Sequence, residues 1–320
     1  MPTNLNSALY QSLKGGFRDY QTTGAPEFLK LAPIVKSDKY GQYNYFTDVA
    51  RLDDRNAPYV GSDAADFLSS NFSIERGNFQ TKRVVGHSFI IPNDVAATLT
   101  DTASIDVVNA AIVRGVRPLF GKMVSDFVTE ATSALSSAGT VDLTNQAENY
   151  IEKVLGYCDA VELATGKRPN FLYVGPVAAN LMRLLDEVQS GVAISGYTDA
   201  GSAVRRTGMH VTHDVLKEWH RYQLGVELVI ERESKTGSAG TGSYIVGTTG
   251  VLAVAGSAGG VDNAMITAVK TAGRSADLVD FVVRETGVGQ AVGLGVDCDA
   301  YYKIEAVGPD AGRTITFTLA

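Results

Sequence analysis

The chain has 320 residues, 45% hydrophobic and 20% charged, with a formal net charge of −7. That length suits about two domain-sized units with an ordinary buried core, and no apolar run reaches the roughly 18 residues of a membrane span. The acidic balance argues against a protein whose main task is gripping DNA. Cys158 and Cys298 lie far apart with no CxxC partner, which fits a reducing compartment and excludes a cysteine-rich metal site.

The N-terminus, MPTNLNSALYQSLKGG, lacks the charged start and apolar core of a secretion signal. Residues 1–35 read as an arm. Gly15-Gly16, Gly24, Pro26 and Pro33 interrupt every period, leaving short apolar stretches such as Phe28-Leu29-Lys30-Leu31. The arm is mildly basic. Residues 36–83 differ. Tyr40, Tyr43 and Tyr45 precede a polar centre, VARLDDRNAPYVGSDAADF, and Phe72, Ile74 and Phe79 follow it. The flanks read as strands and the centre as a long loop, with charges balanced in sign. Such an excursion cannot bury a core of its own. Its tyrosines, each a large apolar area with a polar tip, point to order gained from a contact.

The strongest helical pattern runs from Ser104 to Leu135. Val108, Ile112, Val116, Leu119, Met123 and Phe127 fall three or four apart on one face. Gly115 and Pro118 interrupt it, and Pro118 cannot donate to the Arg114 carbonyl, so a bend is expected there. A second helix is predicted over 146–164, with Ala147, Ile151, Val154, Leu155 and Cys158 on one face, stopping at Gly166. A strand over Phe171–Val174 then passes through Gly175 into a helix with Pro176 at its first position. Val177, Leu181, Leu184, Leu185 and Val188 are its expected buried stripe. GVELVIERES and SYIVGTTGVLAVAG flank KTGSAGTG as a hairpin, and the chain closes with strands at Leu278–Arg284 and through YYKIEAVGPDAGRTITFTL, turned at Gly308-Pro309-Asp310.

Chemistry is sparse. The strand–Gly-Pro–helix turn has one glycine and no following Lys-Ser/Thr, so it is no P-loop, and GVGQAVGLG has the wrong spacing for a dinucleotide fingerprint. His210 and His213, read as strand residues, would face opposite sides, and with His220 they lack the further ligand a metal centre needs. Neither G-x-S-x-G nor H-E-x-x-H occurs. The Gly-Pro turn reads as scaffold, and neither catalytic residues nor a cofactor or metal site is expected.

The order of elements resembles the major capsid proteins of tailed bacteriophages, with their Hong Kong 97-type α+β fold. LAPIVKSDKYGQYNYF, TKRVVGHSFIIPNDVA, ATGKRPNFLYVGP, WHRYQLGVELVIERES and AYYKIEAVGPDAG carry the likeness across nearly the whole chain. The resemblance implies an N-arm at 1–35 and an extended E-loop at 36–85. It implies a peripheral domain at 86–149 with a spine helix at 104–135, an axial domain at 150–262, and a return to the peripheral domain at 263–320. It further implies hexamers and pentamers tiling an icosahedral shell around double-stranded DNA, in a virion assembled in the bacterial cytoplasm. Its partners would be itself, a portal, a decoration protein and, since no scaffolding extension precedes Met1, a separate scaffolding protein. Tyr40, Tyr43, Tyr45, Arg51, Asp53, Asp54, Arg55 and Tyr59 are the expected inter-subunit contacts, with Gly115 and Pro118 giving the spine helix its bend. Free subunits are expected to bind DNA only weakly at physiological salt. The alternatives are an encapsulin-like bacterial compartment, which uses the same fold, and an α/β enzyme with 161–188 at its active-site edge.

Overall fold

The longer strands are divided between two five-stranded sheets, and one of these is buried on both faces. The computed structural model describes residues 15, 24–36, 42–46, 74–78, 82–92, 104–194, 211–236, 241–255, 268–273, 279–288 and 291–319.

The first sheet is built around β13 (Ala291–Ala306). It pairs antiparallel with β12 (Val279–Val288), β4 (Lys82–Pro92) and β11 (Val269–Gly273), and β11 pairs parallel with β1 (Ile34–Lys36). Helix α1 (Ser104–Ala134) lies against β13 and β4 and is continuous through Pro118. Of the predicted stripe, Ile112, Val116, Leu119, Met123 and Phe127 are buried, with Phe120 and Val124 beside them, and the side chain of Val108 lies outside those described.

The second sheet runs β5 (Ser136–Asp142), β14 (Gly312–Thr318), β10 (Thr249–Ala253), β6 (Phe171–Val174), β7 (Glu227–Ile230). Side chains alternate across a strand, and here both sides are covered. Tyr173, Val229 and Val251 face the cluster under α1. Leu172, Val174, Leu228, Ile230 and Leu252 face a second cluster roofed by helices. Double burial explains why these strands read as continuous apolar runs rather than alternating ones.

The roof departs from the sequence reading in three places. Helix α2 is Tyr150–Thr165, four residues shorter at its start than predicted, and Ala147 is an exposed turn residue. Asp142 accepts from the Thr144 N–H at 3.0 Å and Asn145 from the Ala147 N–H at 3.2 Å, so side chains hold this stretch in turns. The helix ends at Gly166, as expected, with φ 72°. The predicted helix after Pro176 is two: α3 (Pro176–Met182) and α4 (Asp186–Ile194). The Leu184 and Leu185 N–H groups bond three residues back, to Leu181 and Met182, and this tighter turn resets the helical phase. Ala178, Ala179, Met182, Leu185 and Val188 are therefore the buried set, while Val177 and Leu184 are exposed. Finally, His213 begins a helix, α5 (His213–Gln223), not a strand; the Thr212 side chain caps it by accepting from the Val215 N–H.

The hairpin around 237–240 is confined to β8 (Ser234–Thr236) and β9 (Gly242–Tyr244), because β7 and β10 both pair with β6 instead. The Gly308-Pro309-Asp310 turn, with a short 3-10 helix at Pro309–Ala311, carries the chain from the first sheet into the second. The stretch 263–320 is thus divided between the two sheets.

Candidate assembly surface

β2 (Gln42–Phe46) and β3 (Ile74–Asn78) pair antiparallel in a two-stranded sheet of their own, with Tyr43 opposite Gly77 and Tyr45 opposite Glu75. A lone two-stranded ribbon is marginally stable in water and depends on packing against something else. Tyr40, Arg51, Asp53, Asp54, Arg55 and Tyr59 lie outside the described residues. Gly115 is buried inside α1 and Pro118 is exposed on it.

The arm is corrected over its last third. Residues 24–36 are seated on this chain's own core. Phe28, Leu31 and Ala32 are buried, and the ring of Phe28 stacks on that of Phe127 at 4.9 Å. Phe127 in turn meets Tyr173 edge-on at 5.2 Å, so the segment is seated on both α1 and the second sheet. β1 then adds a parallel strand beside β11. Sequence reading missed this because Phe28-Leu29-Lys30-Leu31 is too short to show a period. The signal present was an apolar tetrapeptide bracketed by prolines.

The segment also meets a buried carboxylate. Glu231 follows β7 and is 3% exposed. One carboxylate oxygen accepts from the Phe28 N–H and the Tyr173 hydroxyl, each at 3.3 Å; the other accepts from the Arg232 N–H at 3.1 Å and the Glu233 N–H at 3.4 Å. Burial is the largest influence on the Glu231 carboxyl and raises it above its ordinary value, while the Glu233, Phe28 and Arg232 N–H groups offset part of that rise. Burial and the neighbouring Glu231 raise the Tyr173 phenol, which leaves it a hydrogen-bond donor.

The Gly-Pro turn is closely packed at Gly175. A Cβ on Gly175 would sit 2.1 Å from the Val246 carbonyl oxygen, so backbone fills the space at the head of α3. Glycine stands there for close packing. His213 and His220 are held by partners within the chain, and His210 lies outside the described residues. His220 is fully buried, its Nδ1 2.8 Å from the Leu216 carbonyl and its Nε2 2.8 Å from the Tyr150 hydroxyl. The carbonyl can only accept, so Nδ1 carries the proton and Nε2 accepts from tyrosine. Burial lowers the His220 pKa to about 4. His213 bonds Asn180 at 3.1 Å. Among the described residues no three His, Cys, Asp or Glu side chains form a metal-binding group. The thiols of Cys158 and Cys298 are pushed up by burial, to about 11 and about 12, the behaviour of inert structural cysteines.

No protein-family model matches the sequence, and no curated protein matches it. Solved structures do. A phage-related protein from Bordetella bronchiseptica RB50 is 15% identical and superposes with a TM-score of 0.62, covering 95% of each chain. The putative capsid protein of a prophage of E. coli CFT073 is 12% identical at a TM-score of 0.52, covering 99% of this chain and 100% of its own. The chain has the Hong Kong 97-type capsid fold. A virus-like particle from Pyrococcus furiosus superposes at 0.53 with 9% identity, covering 96% of this chain and 98% of its own. At such identities the shared property is the arrangement of elements, and in this chain that arrangement includes the separate β2–β3 ribbon. Among the described residues no helix is long and apolar enough to cross a membrane.

Proposed function

We propose that this chain is a major capsid protein, assembling with itself into hexamers and pentamers of an icosahedral shell that encloses double-stranded phage DNA. The observation that carries the reading is the end-to-end structural likeness to a phage-related protein, which spans 95% of both chains. In this reading residues 86–149 form a peripheral domain with α1 as its spine, and 150–262 an axial domain; the return to the periphery lies at 263–320. The β2–β3 ribbon is the base of an extended loop lying on a neighbouring subunit. Tyr40, Tyr43, Tyr45 and Tyr59 supply its apolar contact, while Arg51, Asp53, Asp54 and Arg55 set register and specificity more than affinity. Each contact is weak, and a closed shell gains from their number. Gly115 and Pro118 let α1 bend as the shell changes shape. A scaffolding protein, a portal and a decoration protein complete the assembly in the host cytoplasm.

Electron microscopy of negatively stained, expressed protein tests this directly. Icosahedral particles or free capsomers are the expected species. A monodisperse small species at high protein concentration overturns the reading, and shells that fill with a protein cargo identify a storage compartment instead.

A further inference from the structure

The face of α1 turned away from the core forms one wall of a groove of about 920 Å³, and the β8–β9 hairpin forms the other. Arg114, Arg117 and Lys122 project along the helix wall, and Lys235 stands opposite. The hydroxyls of Ser125, Ser234 and Thr236 complete the polar lining. Among the described residues no aspartate or glutamate lines it, in a chain whose net charge is −7. Two of the cations are partly neutralised from outside the groove: Arg117 lies 3.7 Å from Glu233, and Lys122 pairs with Asp126. Arg114 and Lys235 have no ion-pair partner among the described residues.

From these features we infer that the groove contacts the phosphate backbone of nucleic acid, and that this face of the subunit looks into the shell. At 1.5 Å of rise per residue, Arg114, Arg117 and Lys122 spread their charge over about 12 Å of helix. A row of that length follows a polymer rather than enclosing one small anion. Cations with serine and threonine hydroxyls are the groups that meet phosphate oxygens without reading base sequence. An acidic peptide is the other polyanion such charge would attract. Peptide and protein interfaces concentrate their affinity in aromatic anchors and the pockets that hold them, and among the described residues the apolar lining is Val113, Pro118 and Ile245. The inference rests on the shell reading for its biological sense, since a container wall meets its contents.

The test is fluorescence anisotropy of a labelled 30-base-pair duplex with the full-length protein, titrated at several salt concentrations. Wild-type protein should bind weakly, with affinity falling steeply as salt rises. Each phosphate contact adds about 0.9 to the slope of log K against log salt, so R114Q/K235Q should make that slope shallower by about 1.8. R221Q removes an exposed arginine on α5, outside the groove, and should leave the slope unchanged. Equal slopes for wild type and the double variant overturn the inference, as does an R221Q effect of the same size. So does a double variant that keeps its DNA slope but changes its sedimentation, which makes the groove a contact for protein. Protein that forms no particles yet retains a groove-dependent slope refutes the shell reading alone.

Discussion

The stack of Phe28 on Phe127, 4.9 Å between ring centres, fastens the N-terminal segment to the long helix. Both rings are fully buried, although the residues lie about a hundred positions apart. Phe28→Ala removes one ring from this stack and leaves a cavity against Phe127 and Leu31. The expected cost is about 3–5 kcal/mol, read as a lower midpoint in urea unfolding, with new protease cleavage near residues 24–36. A variant that keeps both the wild-type midpoint and protection would show the seat to be dispensable.

Glu231 is the polar half of the same attachment. Glu231→Gln keeps one acceptor oxygen, whereas Glu231→Leu leaves the Phe28, Arg232 and Glu233 N–H groups and the Tyr173 hydroxyl facing hydrocarbon. A buried donor without a partner costs about 1–3 kcal/mol. The leucine variant should therefore unfold at clearly lower urea than the glutamine variant, even though leucine is the more hydrophobic. The reverse order would mean that leaving these donors without a partner costs less than burying the glutamine amide.

His220 predicts how the helical roof responds to acid. Its folded pKa is lowered to about 4 by burial, from an ordinary value of 6.5. Between those values the unfolded chain binds more protons than the folded one, so stability falls as pH falls through this window. The difference corresponds to about 3 kcal/mol, complete near the folded pKa. His220→Gln removes this contribution. Its unfolding free energy should therefore vary less between pH 6.5 and pH 4 than that of wild type, and parallel curves would refute the assignment of a neutral imidazole.

Deletion of residues 48–66 addresses the segment between β2 and β3. The proposed role is to bind a neighbouring subunit, so the deletion should lower the yield of particles in a sedimentation assay. The folded body, including the buried clusters on both faces of the second sheet, should keep its unfolding midpoint. Shells of normal size at normal yield would remove the loop from the assembly mechanism.

Much of the local structure was readable in the order of residues. The apolar face of α1, the strand–Gly-Pro–helix turn, the stop at Gly166 and the ribbon strands flanking the polar loop all depend on spacing within a few positions. Such patterns are local because helix and strand geometry repeat every 3.6 or 2 residues. The signal for α5 was also there, in the Thr212 cap and the Leu216, Trp219, His220 spacing, but pairing His210 with His213 as strand residues obscured it.

The tertiary structure decided what depends on segments meeting across the chain. β1 pairs with β11, and the Phe28 N–H meets a carboxylate 203 residues away. The last strand joins β5 and β10 rather than the strand just before it. Lys235 faces the cations of α1 only because β8 and β9 lie beside that helix. A stretch of sequence records which side chains prefer to leave water. It does not record which surfaces will cover them, because that choice is made by shape and burial shared among elements far apart in the chain.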